Sequence, residues 1–440
     1  MVKDTTVTEF LENEYSNSAL YMNYRSNPSY IDGLKNSGRK VVYVMKKKNL
    51  SGEAKVSQFA STVAAESGYI HGDASLQGTL VTLAQDFRGA NNLPIIKGVG
   101  SFGTAFMNEA SAARYIFIKP QPYFELLFRN SDEQGLVKQN FEGEEIEPRY
   151  YVPTLPNILI NGCTGIGVGF ACKILARNPK YIMEAIRRKL NNIPIDNNLF
   201  VPGWNGFKGY VNKISDIKWE ICGVASINKK KVIIEELPIG YELQQYISIL
   251  KKLKEKGIVV KYEDFSEDDN YNFVVTLSDE EAKKDFNDIL EDLKLKITIT
   301  ESLTCIDENN AIVEFKNAND LFDRYFDFKM SSLEVRLKNE IDRLEKEMSE
   351  LKEIYDFINM SIQGKIDFKV SRKALETQVE SFGFTLIQKL ISMPLYSLTK
   401  EKADEAKIKY ENKLKELEDM KKETPKSLWE KDLKLIEKYI

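Results

Sequence analysis

Leu337, Ile341, Leu344, Met348, Leu351, Tyr355 and Ile358 follow one another in steps of four and three, within a stretch otherwise crowded with charged residues. Apolar residues at that spacing fall on one stripe of an α-helix, and about three such heptads make a coiled-coil seam. A seam needs a second helix to cover it. Ala406, Tyr410, Leu414 and Leu417 form a shorter stripe of the same kind. Between the two, residues 362–400 contain Gly364, Gly383 and Pro394, which interrupt a continuous helix. The pattern predicts an antiparallel helical arm with a small globular piece at its tip over residues 321–440. An ordinary helical bundle satisfies the same pattern.

The preceding residues divide in two. Residues 37–49, 54–67 and 73–87 read as three helices, the last carrying Leu76, Leu80, Leu83 and Phe87 at helical spacing, with Asp73 as its N-cap. Short strand-like stretches follow at about 93–97 and 113–118, separated by the turn-rich GVGSFGT. Three helices and a β-wing suggest a winged helix-turn-helix over residues 1–149, although plain bundles share the helical part. In residues 150–320, KVIIEELP, YNFVVTLS and KITIT read as strands, and Ser278 with Glu281 reads as a capping box opening a helix to about Leu293. The fold class is therefore multidomain α+β, with a mixed α/β region in the middle.

Charge narrows the partners. The chain has 62 basic and 66 acidic side chains, a net −4, which as a whole does not favour nucleic acid. Residues 21–50 differ. They hold Arg25, Lys35, Arg39, Lys40, Lys46, Lys47 and Lys48 against Asp32 alone, a local balance of +6 that suits a phosphate backbone. For Lys46–Lys48 a solvated helix face is the simpler account. No run of about 18 apolar residues exists, so no membrane span is expected. The opening MVKDTTVTEFLENEY is acidic and unlike a secretory signal. Cys163, Cys172, Cys222 and Cys305 show no CxxC spacing, so neither disulfides nor a zinc site is expected, and a reducing cytoplasm fits. Glu267, Asp268 and Asp269 read as a loop rather than a metal cluster. NGCTGIGVG lacks both the GK[ST] ending and the GxGxxG spacing of nucleotide loops and alone reads as a buried strand-turn-strand.

ASAARYIFIKP sets Arg114 beside Tyr115. Alone, the pair reads as a strand with a half-exposed tyrosine. The alternative is a phenolate nucleophile next to a cation. A tyrosine-recombinase reading fails, because that chemistry needs His-x-x-Arg and the third residue after His71, the sole histidine, is Ala74.

Taken in order, RSNPSYIDGLK, GRKVVYVMKKKNL, KVSQFASTVAAESGYIHGD, GTLVTLAQDFRGANN, GSFGT, AARYIF, EPRYYVPTLPNILINGCTGIGVG, KGYVNKI and MPLYSLTKEK give the chain a specific likeness. It resembles the breakage-reunion subunit of type IIA DNA topoisomerases from about Arg25 to Trp429, and most of all the separate-subunit branch of T-even-type bacteriophages. The resemblance implies a winged-helix domain, an α/β tower domain and a coiled-coil arm ending in a dimerisation gate. It implies that Tyr115 attacks a DNA phosphodiester to form a 5′-phosphotyrosine link, with Arg114 on the scissile phosphate and His71 as a hydrogen-bond or proton donor. Arg25, Asp32, Lys35, Arg39, Lys40 and Lys55 map near DNA, with Asp32 either orienting one of the cations or capping a helix. Ile166 maps onto a wedge that opens a base step. Two positions depart from the pattern: Ile70 stands where eukaryotic members carry a second histidine, and Asn36 where a proline is usual.

The same likeness implies Mg2+ and ATP held on an ATPase/Toprim large subunit, and a hetero-oligomer with that partner. It also implies a homodimer through the C-terminal gate and double-stranded DNA as substrate. Ending at residue 440, the chain carries no β-pinwheel, so relaxation and decatenation are expected rather than introduction of negative supercoils. The competing reading is a non-catalytic protein that bridges DNA through its coiled coil, with Tyr115 structural.

Overall fold

The computed structural model describes residues 6–440. They form two units: one runs to Lys329 and takes in Glu430–Ile440, the other is Met330–Trp429.

In the first unit, helices Asn36–Lys47, Val56–Ser67 and Asp73–Ala84 bury Val41, Val42, Val44 and Met45 against Val56, Phe59 and Val63 and against Leu76 and Leu80. The third helix opens at Gly72, not Asp73. Gly72 is extended and contributes no side-chain cap, so Asp73 sits inside the first turn, where its charge suits the helix dipole. Beside the helices lies a three-stranded antiparallel sheet in which Phe117–Pro120 is flanked by Ala54–Lys55 and Ile96–Val99. The strand expected at 113–118 starts later, because residues 113–115 form a turn.

The middle of this unit is mixed α/β. A four-stranded antiparallel sheet is ordered Val224–Asn228, Lys231–Glu236, Phe273–Leu277, Val259–Asp264. Lys231–Glu236 alternates exposed and buried side chains, and its inward Val232 and Ile234 share a core with Phe273 and Val275 of the neighbouring strand and Tyr246 and Leu250 of helix Leu243–Glu255. KITIT forms Lys296–Thr300, in a sheet with Lys218–Cys222 and Tyr210–Lys213. The helix expected from Ser278 to Leu293 is interrupted. The Ser278 Oγ does accept from Glu281 N, at 3.3 Å, but only the 3-10 turn Glu281–Lys283 follows. Lys284 is extended, and Asp285 caps a separate helix, Phe286–Asp292.

Apolar spacing gave no sign of an N-terminal helical stretch, yet one is present. Thr6 and Glu9 form a reciprocal capping box ahead of Val7–Phe10, which passes through a π-helical turn, Leu11–Tyr15, into Ser16–Ser26. TVTE is the sequence signature of that cap.

In the second unit, the part of helix Ala318–Ile362 beyond Lys329 pairs with helix Lys400–Lys422. Lys421 meets Glu345 at 2.6 Å, Lys413 meets Glu347 at 3.0 Å, and Ile358 packs with Ala403 and Ala406. As one number rises the other falls, so the two helices are antiparallel. Between them, Arg372–Ser381 and Ile387–Ile391 enclose a small core of Phe357, Ile366, Val379, Phe384 and Leu390. Among the described residues no helix is long and apolar enough to cross a membrane.

Candidate active site

The first amides of a helix have no partner inside it. For helix Val56–Ser67, two of them are satisfied from the loop that carries Tyr115. Val56 N donates to Ile116 O at 3.1 Å and Ser57 N to Ala113 O at 3.2 Å. These bonds grip the backbone on both sides of Arg114–Tyr115. Tyr115 N closes the turn on Ala112 O at 2.9 Å, and the Ile116 side chain is buried. The two residues between the grips point outward. Tyr115 is 70% exposed, which excludes both a core tyrosine and a half-covered strand residue. The Arg114 guanidinium carbon lies 5.7 Å from the Tyr115 ring centroid, within cation–π reach. Lys55, across the strand register from Phe117, puts a second cation beside the same turn. Among the described residues neither Arg114 nor Lys55 has a carboxylate within salt-bridge distance.

His71 lies elsewhere, with no hydrogen bond or ring contact to Tyr115. Its Nε2 is 2.5 Å from the Tyr21 hydroxyl, and the Tyr69 ring meets it edge-on at 5.3 Å. Burial, and then the charge of Arg25, lower its pKa and so favour the neutral imidazole. When Tyr21 donates to Nε2, Nδ1–H is left as a donor. Tyr21 was not foreseen: it stands 50 positions from His71 and no local pattern links them.

The basic patch does not survive folding as a free +6 surface. Asp32 is fully buried and accepts from Arg39 Nε at 2.8 Å, Arg39 Nη2 at 3.2 Å, Leu34 N at 2.9 Å and Tyr151 N at 3.1 Å. Of the two roles open to it, Asp32 thus orients Arg39. Lys40 is buried against Glu147 at 2.8 Å, and Lys46 meets Glu133 at 2.6 Å. Lys47 and Lys48 share Glu66, and their hydrogen bonds hold its carboxyl down to about 2. Arg25 and Lys35 are the cations of the patch with no carboxylate in salt-bridge reach among the described residues.

Lys35 Nζ donates to Thr164 O at 2.7 Å, on the hairpin formed by Cys163–Ile166 and Ala171–Ile174. At the hairpin's end Ile166 is 81% exposed, so this is not the buried turn that its apolar residues suggest. The end of helix Ser16–Ser26 presses against it. Asn23 Nδ2 donates to Val168 O at 2.9 Å. A Cβ at Gly165 would stand 2.2 Å from Ser26 O, and one at Gly167 2.0 Å from Asn23 Oδ1, so only glycine permits the approach. Between this hairpin and helix Asp73–Ala84 runs a groove of about 820 Å³ whose charged lining side chains, Lys35 and Lys173, are both cationic. Ser75, Gly78, Thr79 and Thr82 give it a small, polar helical wall. Among the described residues no three His, Cys, Asp or Glu side chains stand together to hold a metal.

Residues 25–434 match the family described as the DNA gyrase/topoisomerase IV A-subunit. Over its whole length the chain is 30% identical to mitochondrial DNA topoisomerase 2 of Dictyostelium discoideum, of which it covers 35%. Over 98% of its length it is 32% identical to DNA topoisomerase 2-alpha of Gallus gallus, covering 31% of that protein. It thus spans about a third of the length of these relatives. Among solved structures, the topoisomerase II DNA-binding, cleavage and re-ligation domain of Plasmodium falciparum superposes with a TM-score of 0.87 at 30% identity, over 99% of this chain and 65% of that one.

Proposed function

The chain belongs to the DNA gyrase/topoisomerase IV A-subunit family, and on that premise we propose that it is the DNA cleavage–religation part of an ATP-dependent type II DNA topoisomerase. The observation that carries this reading is the Arg114–Tyr115 pair, held outward on a turn gripped from both sides by helix amides. The Tyr115 Oη attacks a DNA phosphorus. The bond from phosphorus to the 3′ oxygen breaks, a 5′-phosphotyrosine bond forms, the phenol loses its proton and the departing 3′ oxygen gains one. The bond count is unchanged, so resealing needs no fuel. Arg114 stabilises charge on the phosphate oxygens. His71, neutral and partly exposed, donates a hydrogen bond to a phosphate or leaving oxygen.

Arg25, Lys35 and Lys55 meet the DNA backbone. Asp32, Arg39 and Lys40 act from within, fixing the segment that presents Lys35. Ile166 enters a base step. The winged helix over 1–149, tower over 150–320 and arm with a dimerisation gate over 321–440 belong to the same reading. So do a homodimer through that gate and a separate ATPase/Toprim partner holding Mg2+ and ATP. A cyclic strand-passage reaction then relaxes or decatenates double-stranded DNA. The finer placement beside the medium subunit of T-even-type phage topoisomerases, with work in a bacterial host cytoplasm, rests on the run of motifs; the Dictyostelium, Gallus and Plasmodium relatives are eukaryotic proteins.

Tyr115→Phe tests the reading. With the partner, ATP, Mg2+ and supercoiled DNA, the parent should yield protein-linked DNA that survives denaturation. The variant should yield none while binding DNA as before. Adducts persisting in the variant would exclude Tyr115 as nucleophile. A competent parent mixture giving none would favour the DNA-bridging alternative.

A further inference from the structure

The loop between strands Ile96–Val99 and Phe117–Pro120 carries Tyr115, yet its far end is held by a different core. Thr104–Met107 form a tight turn, with Thr104 N donating to Met107 O at 2.8 Å. The carbonyls of Ala105 and Phe106 leave that turn and meet the four-stranded-sheet region. The Tyr271 hydroxyl shares its one proton between Ala105 O at 2.8 Å, the nearer acceptor, and Tyr241 O at 3.0 Å, and Leu243 N donates to Phe106 O at 3.1 Å. The Phe106 ring packs 5.1 Å from the Tyr271 ring, against the core of that sheet. Arg88, just beyond helix Asp73–Ala84, places its guanidinium 5.0 Å from the Tyr271 ring centroid and donates to Asp269 O at 2.6 Å.

From this clamp the loop runs to Tyr115 through bonded steps. Gln85 Nε2 holds Phe102 O at 3.0 Å and Asn108 O at 2.9 Å, Ser111 N reaches Ser101 O at 3.0 Å, and Ser57 N holds Ala113 O. A loop tied at so many points moves as a piece, and a displacement at Ala105 reaches the Tyr115 turn. Burial holds the Tyr271 pKa up at about 12, so its hydroxyl remains a donor throughout the physiological range.

We propose that Tyr271, through the hydroxyl that clamps Ala105 O, is a positioning residue for the Tyr115 nucleophile, so that the four-stranded sheet sets the register of the cleavage loop. The inference rests on the assignment of Tyr115 as nucleophile. It does not require Tyr271 to touch DNA. Attack in line on phosphorus is sensitive to small misplacements of the nucleophile, whereas DNA binding by Arg25, Lys35 and Lys55 is not.

Tyr271→Phe keeps the ring, its packing on Phe106 and its stacking under the Arg88 guanidinium, and removes the hydroxyl with its bonds to Ala105 O, Tyr241 O and Arg88. In the full complex with partner, ATP, Mg2+ and DNA, the expected result is a fall of roughly three- to tenfold in single-turnover cleavage at saturating DNA, the size of one neutral hydrogen bond. The half-saturating DNA concentration and the melting temperature should stay near the parent's. Parent-like cleavage overturns the inference, and so does a loss confined to DNA affinity. A parent complex that forms no adduct at Tyr115 overturns the underlying assignment instead, which separates the two failures. If Tyr271→Phe does not fold, Phe106→Leu thins the same clamp from the loop side and carries the same expected split and the same failure condition.

Discussion

Asp32 shows what a window of sequence conceals. Within residues 21–50 it is the lone acid among seven cations, and counting charges there yields a phosphate-binding patch. In the fold Asp32 takes Arg39, Glu147 takes Lys40, Glu133 takes Lys46, and Glu66 takes Lys47 and Lys48. Three of these acids lie outside the window, so local counting could not find them. Asp32→Ala strands a buried guanidinium and two backbone amides, and should cost roughly 3–5 kcal/mol in denaturant unfolding; a loss under about 1 kcal/mol would show that the pair is not integral. His71 gives a signed pH effect. Its folded pKa lies below its ordinary value of about 6.5. The unfolded chain therefore binds the proton more readily, and the contribution of His71 to stability is complete above about pH 6.5 and lost as pH falls through the folded value. Melting curves of the parent and His71→Ala should accordingly converge as pH drops from about 7.5 toward about 5.5. A gap that stays constant or widens contradicts a neutral imidazole shielded by Tyr21 and Tyr69.

Elements were legible where one periodicity ran uninterrupted. Helices Asn36–Lys47, Val56–Ser67 and Asp73–Ala84 lie within three residues of the bounds set by apolar spacing. The 278–293 segment failed because two caps compete: Ser278 starts a turn and Asp285 starts another helix, and only the extended backbone at Lys284 separates them. The N-terminal helix was missed because its apolar residues, Val7, Phe10, Leu11 and Leu20, are largely exposed and make no core-facing stripe. The Tyr115 turn, the Ile166 hairpin and the Tyr271 clamp depend on contacts across the chain, which spacing does not encode. The hairpin offers a sharp test. Gly165→Ala forces a methyl onto Ser26 O and should destabilise by about 1–3 kcal/mol through overpacking. Gly52→Ala, with no heavy atom within 4 Å of the added carbon and no positive φ, should stay within about 0.5 kcal/mol. Equal effects in chemical unfolding would mean that the hairpin does not sit against the helix end.

At the scale of the whole molecule, composition pointed away from DNA and the order of motifs pointed toward it. The net charge of −4 is an average over two units, whereas the cationic groove and the Arg114–Tyr115 turn are local. The chain spans about a third of the length of its relatives. On the proposed reading, a partner brings ATP and Mg2+ to the cleaving complex. The direct measurement is to denature that cleaving complex, digest protein and DNA, and locate the nucleotide by mass spectrometry. The account expects a 5′-phosphoryl nucleotide on the Tyr115 oxygen. A nucleotide on any other side chain, or a 3′-phosphoryl link, contradicts it.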